Sequence, residues 1–318
     1  MVDAVITWVD GDDPQHLAKR EKYKECKEAK WTHPRADHAT RFSNKNEIWY
    51  CIHSIRKFAS YVDKIFLVTD QQHPDWLTDK MQQNLKVEIV DHSIIFQGYE
   101  QYLPTFNSLT IETMLYRVPG IKDKFLYFND DVVLISPTRE TDFFRQDQLV
   151  YRGEWLWKLN LKKRLAGFLP FDEMKLQKLT GIGYIGYRNE DKYFKRNRYL
   201  LFRLAHSPHP IDKEIFKQLF TNQEKLANQI KYRFKNKQQY NPTSLGANLA
   251  FKMGRAKKGA NDYGYIACGN LSKAELEQWL GIFERNRSIK SLCMQSLDQA
   301  CPEVENSVKV FLQERLEK

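Results

Sequence analysis

The chain alternates, up to residue 135, between patterns typical of β-strands and patterns typical of α-helices. Four apolar segments have the length of strands: VDAVITWV, KIFLVTD, VEIVDH and FLYFNDD. Between them lie three segments of helical character: NEIWYCIHSIRKFASYV, HPDWLTDKMQQNL and SLTIETMLYRV, the last with Ser108 as its predicted N-cap. Strand and helix patterns in alternation predict a mostly parallel sheet with helices packed over it.

The pattern changes twice beyond residue 140. From 141 to 205 the chain is aromatic and basic, with isolated glycines, and no regular elements are assigned there. From 206 onward helical patterns return, and four signals predict helix starts: Asp212 as an N-cap, Thr221 with Glu224 and Ser272 with Glu275 as capping boxes, and Pro302 in a first turn. We therefore predict an α/β protein. It has a Rossmann-like, mostly parallel sheet with flanking helices over 1–140, an irregular basic insertion over 141–205, and a helical part over 206–318 that completes the same domain.

An acidic residue follows each of the four predicted strands: Asp10, Asp70, Asp91 and the adjacent pair Asp130–Asp131. A single aspartate at a strand end is often only a turn or cap residue. The pair, however, stands within the apolar run FLYFNDDVVLI, where two unpaired carboxylates would be costly to desolvate. In an open α/β sheet, ligands bind outside the carboxyl ends of the strands. We therefore predict a negatively charged cleft at this edge, with a functional role for the pair.

The composition limits the class of protein. The formal net charge is +10, and basic residues are concentrated from about Lys158 to Lys237. This asymmetry favours an anionic partner such as nucleic acid, an anionic membrane surface or a phosphorylated substrate, although lysines that only solubilise the surface are the alternative. Five cysteines without CxxC spacing argue against a disulfide framework or a zinc site, and they suit a reducing cytosol. No apolar run reaches the roughly 18 residues of a membrane span, and the N-terminus lacks the pattern of a signal peptide.

Several stretches resemble the conserved regions of the Stealth family of sugar-1-phosphate transferases. VDAVITWVDGDDP is similar to the first signature, an apolar strand that runs into T-W-V-[DN]-G-x-D. The second region is similar from RFSNKNEIWY through LPTFNS to FLYFNDDV, the third around AHSPHPIDKEIF and YRF, and the fourth around SIKSLCMQSLD. Together these stretches cover most of the chain apart from roughly 140–200. The family includes bacterial capsule and exopolysaccharide phosphotransferases and the animal enzyme that makes the mannose-6-phosphate tag.

The fourth region departs from the family pattern. Many members carry Cys-x-Asn-Asp there, whereas this chain reads Cys293-Met294-Gln295-Ser296. The role of the acidic residue therefore cannot be transferred to Ser296, which we leave out of the catalytic set.

The resemblance implies transfer of a sugar-1-phosphate from a nucleotide-sugar, with a UDP-sugar expected, to a glycan hydroxyl in capsule or exopolysaccharide synthesis. A phosphodiester forms and a nucleoside monophosphate is released. Residues 1–140 would bind the donor, and the basic segment 141–205 would meet the polysaccharide or oligosaccharide acceptor. The expected location is the cytoplasm, with peripheral contact to the inner membrane face.

Each requirement of phosphoryl-type transfer has a candidate residue. Asp130 and Asp131 are predicted ligands of Mg²⁺ or Mn²⁺, which prefers carboxylate oxygens and bridges phosphates, and Asn129 is expected to orient them. His206 is the predicted general base, because a neutral histidine can accept a proton from a hydroxyl. Arg233 is a further predicted catalytic residue, as a bidentate clamp on phosphate oxygens. The substrate-binding candidates are Arg41 as a second phosphate clamp, together with His209, Trp8, Asp10, Gly11, Asp13, Asn46, Thr105, Asn107 and Ser108.

Two other functions remain open at this point. A metal-dependent glycosyltransferase would also place acids at a strand end to hold a nucleotide diphosphate, but it would release UDP rather than UMP. A nucleic-acid-binding protein would explain the charge and the aromatic residues among the lysines. The sequence, however, has no recognisable nucleic-acid-binding motif, and this hypothesis leaves Asp130 and Asp131 without a role.

Overall fold

The computed structural model describes residues 1–24, 42, 44–157, 200–236 and 238–317. Its strands are β1 (Val2–Thr7), β2 (Val62–Thr69), β3 (Val87–Asp91), β4 (Lys124–Asn129), β5 (Val132–Leu134), β6 (Phe144–Arg145), β7 (Gln148–Tyr151), β8 (Gly153–Trp157), β9 (Leu200–Leu204), β10 (His209–Asp212), β11 (Ala256–Lys258), β12 (Tyr263–Ala267) and β13 (Ser291–Gln295). Its helices are α1 (Pro14–Lys24), α2 (Glu47–Phe58), α3 (Asp79–Leu85), α4 (His92–Ile95), α5 (Ser108–Met114), α6 (Lys213–Leu219), α7 (Gln223–Ile230), α8 (Pro242–Lys252), α9 (Lys273–Arg285) and α10 (Pro302–Glu317).

The central sheet has the strand order β10-β4-β1-β2-β3. The four strands predicted from the apolar segments pair in parallel, with Val5 of β1 opposite Phe66 of β2 on one side and Tyr127 of β4 on the other. Both faces of β1 are buried, and this explains why its sequence is apolar from Ala4 to Ile6. The predicted α/β class with a mostly parallel sheet is confirmed.

The C-terminal part contributes strands as well as helices. Strand β10 is antiparallel to β4 and forms one edge of the central sheet. Strand β13 pairs with β12 in parallel and with β5 in antiparallel fashion, so it lies beside the segment that follows Asp131. The predicted helical part over 206–318 contains the helices α6 to α10, and four strands, β10 to β13, lie among them. Two smaller sheets, β11-β7-β6 and β8-β9, complete the described part of the fold.

The predicted helix starts are mostly correct. Asp212 caps α6, Ser272 and Glu275 form the capping box of α9, and α10 begins at Pro302. Two predictions are wrong by one residue: Asn222 rather than Thr221 caps α7, and Asn107 rather than Ser108 caps α5. An amide oxygen accepts the first free N–H groups of a helix as well as a hydroxyl does, and in both cases the asparagine stands next to the hydroxyl residue.

Within the described ranges, no helix combines the length and the hydropathy that a bilayer crossing requires. Arg41 and residues 158–199 of the predicted insertion lie outside those ranges.

Candidate active site

A cleft of about 790 Å³ opens at the carboxyl edge of the central sheet. The ends of three parallel strands contribute Trp8 after β1, Asp70 after β2, and Asn129 to Asp131 after β4. From the C-terminal part, His206 and residues 294–299 complete the wall. The cleft therefore lies where ligands bind in open α/β sheets.

Asp130 and Asp131 occupy the turn between β4 and β5 and are half-buried. Burial, Asp131 and Glu47 together raise the pKa of Asp130 well above its usual value. Burial also raises the pKa of Asp131, although the nearby His206 and the thiol of Cys293 oppose that rise. Asp131 Oδ1 is buried and has no hydrogen-bond partner among the residues that the structure describes. This is an acceptor atom for which the described residues supply no donor.

Two acids that the sequence analysis did not select join the pair. Glu47, the first residue of α2, has a raised pKa because of burial and because Asp131 and Asp298 are close. Asp298 follows β13 and lines the same cleft, two residues beyond Ser296. Glu47 resembled an ordinary acidic residue in a first helical turn, and no local pattern marked Asp298, so only the tertiary structure shows that they meet.

The structure separates the two predicted histidines. His206 is exposed, lines the cleft, and has its ring centroid 5.1 Å from that of Tyr265. His209 lies within β10 opposite Tyr127. Burial lowers the pKa of His209 to about 3, so its imidazole is neutral, and its Nδ1 has no partner in the described part. His206 is thus the one of the two that faces the cleft.

The residues after β1 divide between the cleft and its supporting loop. Trp8 lines the cleft, and its indole Nε1 is buried without a hydrogen-bond partner among the described residues. The Gly11 N–H donates to Phe42 O at 2.6 Å, and a Cβ on Gly11 would lie 2.1 Å from that oxygen. The glycine is therefore required for packing against Phe42, whereas we expected it to permit the approach of a ligand.

The aspartates of this loop also hold the backbone. Asp13 caps α1, accepting from His16 N at 3.1 Å and from Gln15 N at 2.7 Å, and the bond from His16 is the main cause of its lowered pKa. The Asp10 backbone exchanges two hydrogen bonds with the Gln72 amide. The described residues that line the main cleft do not include Asp10, Gly11 or Asp13. Asp10 instead borders, with Asn46, a smaller pocket of about 130 Å³ on another side of Trp8.

The segment before α5 also contains both residues that line the cleft and a residue that supports the structure around it. Thr105 and Ser108 line the cleft, and the Thr105 hydroxyl is buried without a partner in the described part. Asn107 is fully buried, and its Nδ2 donates to Tyr232 O at 2.9 Å and to Gln239 Oε1 at 2.8 Å. Asn107 therefore fastens the segment after α7 to α5, and the ligand contact expected of it falls to its neighbours.

Arg233 is engaged by the protein itself. Its Nη2 donates to Gln101 O and Leu103 O, both at 3.2 Å, and its guanidinium lies 4.8 Å from the Tyr23 ring centroid. The described residues of the cleft wall include Lys235 but not Arg233. The phosphate contact predicted for Arg233 stays a prediction, and the one for Arg41 lies outside the described residues.

A group of buried polar side chains on the β1–β3 side of the cleft escaped the sequence analysis. Besides Trp8 and Thr105 it includes His16 and His92, whose Nδ1 atoms have no hydrogen-bond partner within the described ranges. Burial lowers the pKa of both histidines, that of His92 to about 4, so they are neutral near pH 7. The ring of Phe106 lies 5.4 Å from that of His16. This wall is aromatic and carries neutral imidazoles, and it holds one carboxylate, Asp70, which lies 3.3 Å from Lys19 Nζ.

Residues 2–25 match the family model described as Stealth protein CR1, conserved region 1, and residues 41–151 match that of Stealth protein CR2, conserved region 2. These two regions are similar to conserved regions of the Stealth family, and together they cover less than half of the chain. The Stealth regions carry Trp8, Glu47, Thr105, Ser108 and the Asp130–Asp131 pair, which means that they supply most of the cleft. The resemblance inferred from the first two signatures is confirmed.

Curated relatives share the same part of the chain. It is 41% identical over 143 residues to the capsular polysaccharide phosphotransferase LcbA of Neisseria meningitidis, covering 45% of this chain and 37% of that protein. It is 38% identical over 148 residues to the receptor polysaccharide phosphotransferase WefC of Streptococcus oralis, covering 46% of this chain and 42% of that protein. The matches to these two relatives thus span about two fifths of the relatives' length.

Solved structures show only distant likeness. The bifunctional glycosyltransferase WbbM has a TM-score of 0.47 at 12% identity, covering 99% of this chain and 49% of that chain. The galactosyltransferase LgtC, in complex with donor and acceptor sugar analogues, has a TM-score of 0.40 at 9% identity, covering 99% of this chain and 95% of that chain. Likenesses of this size do not establish a shared fold, so the description of the sheet rests on its own strand order.

Proposed function

We propose that this chain transfers a sugar-1-phosphate from a nucleotide-sugar to a glycan hydroxyl during capsule or exopolysaccharide synthesis. The observation that carries the proposal is the Asp130–Asp131 turn on the wall of a cleft that His206 also lines, with an Asp131 Oδ1 atom that has no partner in the described part of the chain. The names of the relatives, which are polysaccharide phosphotransferases, support this class of reaction.

The acid pair fits a divalent cation. Asp131 Oδ1 is a buried oxygen without a donor among the described residues, and burial together with the neighbouring Asp131 and Glu47 raises the pKa of Asp130. In the described ranges, no group of three His, Cys, Asp or Glu side chains converges into a complete metal site. Two carboxylates with water and phosphate oxygens would suffice for Mg²⁺, which keeps several waters when protein-bound. When bound, such an ion would neutralise charge on the donor diphosphate.

His206 is the candidate general base. Its position on the cleft wall allows the imidazole to accept the proton of an acceptor hydroxyl. Asp131 lies close enough to His206 for their charges to interact. The hydroxyl oxygen forms a bond to the sugar-bearing phosphorus, and the bond from that phosphorus to the bridging oxygen breaks. The bridging oxygen leaves with the nucleoside monophosphate.

The wall around His16 and His92 suits the nucleobase of the donor. It offers buried donor and acceptor atoms that have no partners among the described residues, on Trp8, His16, His92 and Thr105, and Phe106 adds an aromatic side chain. Unpaired buried polar atoms are costly, so a ligand with complementary groups gains affinity there. Neutral imidazoles are poor partners for phosphate, which leaves the diphosphate to the side of the cleft that holds Lys235 and the acid pair.

Product analysis tests this function. The wild type is incubated with a panel of UDP-sugars, glycan acceptors and either Mg²⁺ or Mn²⁺, beside Asp131→Asn, His206→Ala and the exposed control Asp147→Asn. We expect UMP, released only with metal, from the wild type and the control, and at least a hundredfold less from the two site variants. Release of UDP would instead identify a glycosyltransferase. UMP release that persists in Asp131→Asn would contradict the role of the pair.

A further inference from the structure

The smaller pocket beside the cleft has no role in the proposed reaction. Its volume is about 130 Å³, and Trp8 is the one described residue that lines both this pocket and the cleft. A single water needs about 10–15 Å³ of such space, so the pocket has room for about ten non-hydrogen atoms, the size of one sugar unit. We call it the Trp76 pocket, and its other walls are formed by Asp10, Asn44, Asn46, Ile48, His73, Pro74, Asp75 and Trp76.

Two side chains of the Trp76 pocket offer hydrogen-bond donors. The indole Nε1 of Trp76 is buried and has no partner among the described residues. Asn46 stands at the N-cap of α2 with a φ of 67°, in the left-handed region, and its side chain makes no cap hydrogen bond. An N-cap asparagine normally has an extended backbone and accepts from the first turn with its amide oxygen. The helix therefore does not use the Asn46 amide, which, like the indole N–H, can donate to a ligand.

Two carboxylates on the walls supply acceptors. Asp75 is exposed, and Asp10 lies after β1, where its Oδ1 accepts from Asp12 N at 3.1 Å. Ionised carboxylates only accept hydrogen bonds. This pair would repel a phosphate, and a simple cation would leave the indole N–H without an acceptor. A polyhydroxyl compound meets both demands, since each hydroxyl can donate to a carboxylate and accept from an N–H.

A row of three aromatic rings continues from the pocket along α2. The His53 ring lies 5.7 Å from the ring of Trp76 and is stacked on that of Trp49 at 4.0 Å. All three side chains are half-buried, and burial lowers the pKa of His53, so the row is uncharged near pH 7. Uncharged rings beside a few polar groups suit the C–H faces and hydroxyls of sugars. A glycan longer than one sugar unit therefore has further surface to contact beyond the pocket.

We propose that the Trp76 pocket binds one sugar unit of the glycan acceptor. The hydroxyls of that unit donate to the carboxylates and accept from the indole and amide N–H groups of the walls: Asp10, Asp75, Trp76 and Asn46. Because the pocket and the cleft share Trp8, the neighbouring unit of the same glycan lies beside the cleft. The assignment of the sugar to the acceptor rests on the proposed function, whereas the binding of a sugar does not.

Indole NMR tests the binding of a sugar without any turnover. Protein labelled with ¹⁵N-tryptophan gives one Nε1–H signal for each of its seven tryptophans, and that of Trp76 is assigned by its loss in Trp76→Phe. The probes are the methyl glycosides of glucose, galactose, mannose and N-acetylglucosamine. We expect at least one of them to shift the Trp76 signal with a midpoint of about 1–50 mM, as a ligand of this size allows, and to leave that of the exposed Trp279 in place. If none of the four shifts the Trp76 signal, the proposal is wrong.

Two comparisons sharpen the test. Asp75→Ala removes an exposed acceptor of the pocket, so it should raise the midpoint of the glycoside about fivefold or more. Asp12→Ala is the matched control, because Asp12 is also exposed and lines neither the pocket nor the cleft. Equal midpoints in Asp75→Ala and the wild type would contradict the proposal. Saturating UDP-sugar should leave the shift of the Trp76 signal in place, and loss of that shift would assign the pocket to the sugar of the donor instead.

Kinetics test the assignment to the acceptor with whichever product the wild type releases. Asp75→Ala should raise the KM of the glycan acceptor about fivefold or more, while kcat and the KM of the nucleotide-sugar stay within about twofold, because the pocket contributes only to binding. Asp12→Ala should keep all three values. A higher KM for the nucleotide-sugar in place of the acceptor would overturn the assignment. Release of UDP instead of UMP would contradict only the proposed function, because a glycosyltransferase needs the same acceptor site.

Discussion

The thiol of Cys293 lies 3.5 Å from Asp131 Oδ2 and thereby joins strand β13 to the acid pair at the end of β4. A backbone hydrogen bond of 3.0 Å from Met294 N to Asp131 O reinforces this connection. The two segments are more than 160 residues apart in the sequence. The acidic wall of the cleft is therefore built from both halves of the chain, and it forms only when the fold is complete.

Removing one charge of the acid pair should stabilise the metal-free protein. Asp130 is half-buried beside Asp131 and Glu47, so Asp130→Asn should raise the free energy of unfolding by about 1–2 kcal/mol near pH 7.5. Thermal unfolding with and without MgCl₂ measures this. Mg²⁺ should raise the Tm of the wild type, and that rise should be absent in Asp130→Asn. Asp147→Asn, whose side chain is exposed, serves as control. A lower Tm for metal-free Asp130→Asn would contradict the repulsion.

His92 should make the protein sensitive to acid. Its pKa is lowered to about 4 in the folded state, below the unfolded value near 6.5, so the unfolded chain binds the proton more readily. Stability is then present above about pH 6.5 and lost as the pH falls towards 4. Between pH 7 and pH 5 this loss amounts to about 2 kcal/mol. Urea unfolding at the two pH values should show a loss smaller by that amount in His92→Gln. Equal losses of unfolding free energy in the wild type and His92→Gln would show that His92 does not cause the acid sensitivity.

Glu112, a buried acid on α5 that lines the cleft, should have the opposite effect on stability. Burial raises its folded pKa to about 7, above the unfolded value near 4.5, so its contribution is complete below about pH 4.5 and is lost as the pH rises through 7. From pH 5 to pH 8 the wild type should lose about 2–3 kcal/mol through this group. Urea unfolding of Glu112→Gln over the same range should show the loss removed, while Glu277→Gln, an exposed change of the same kind on α9, should behave as the wild type does. If Glu112→Gln lost as much unfolding free energy as the wild type does, a group other than Glu112 would be the one that titrates.

Gly11 should be needed for the shape of the first Stealth signature. A methyl group there would meet Phe42 O at 2.1 Å, so Gly11→Ala must displace the loop that carries Trp8. We expect a destabilisation of about 1–3 kcal/mol. We also expect a higher KM for the nucleotide-sugar, measured beside the unfolding transition. Gly281→Ala is the matched control, because its methyl group meets only the flexible end of Arg285 and alanine favours the helix. Equal stability of both variants would contradict the packing role.

The sequence was sufficient for the four parallel strands of the central sheet and for the location of the cleft. A doubly buried parallel strand requires a continuous apolar run, and such runs ended at acids that mark the binding edge. Helix starts followed from capping chemistry to within one residue, since Asn107 and Asn222 stand beside the hydroxyl residues that were predicted. The acid pair was recognisable because two carboxylates in an apolar run have no local explanation.

The tertiary structure decided which polar residues face the cleft and which support it. The short signatures that contain Trp8 and Thr105 also contain Asp13, Gly11 and Asn107. These three residues form hydrogen bonds with backbone groups of the protein itself. Only long-range packing brings His16, His92, Glu112 and Asp298 to the same cleft. The sequence alone determined the fold class and the acidic strand end, because apolar periodicity and desolvation cost act locally. The remaining cleft residues come from contacts between distant segments, and the direction in which each side chain points depends on packing that no local pattern records.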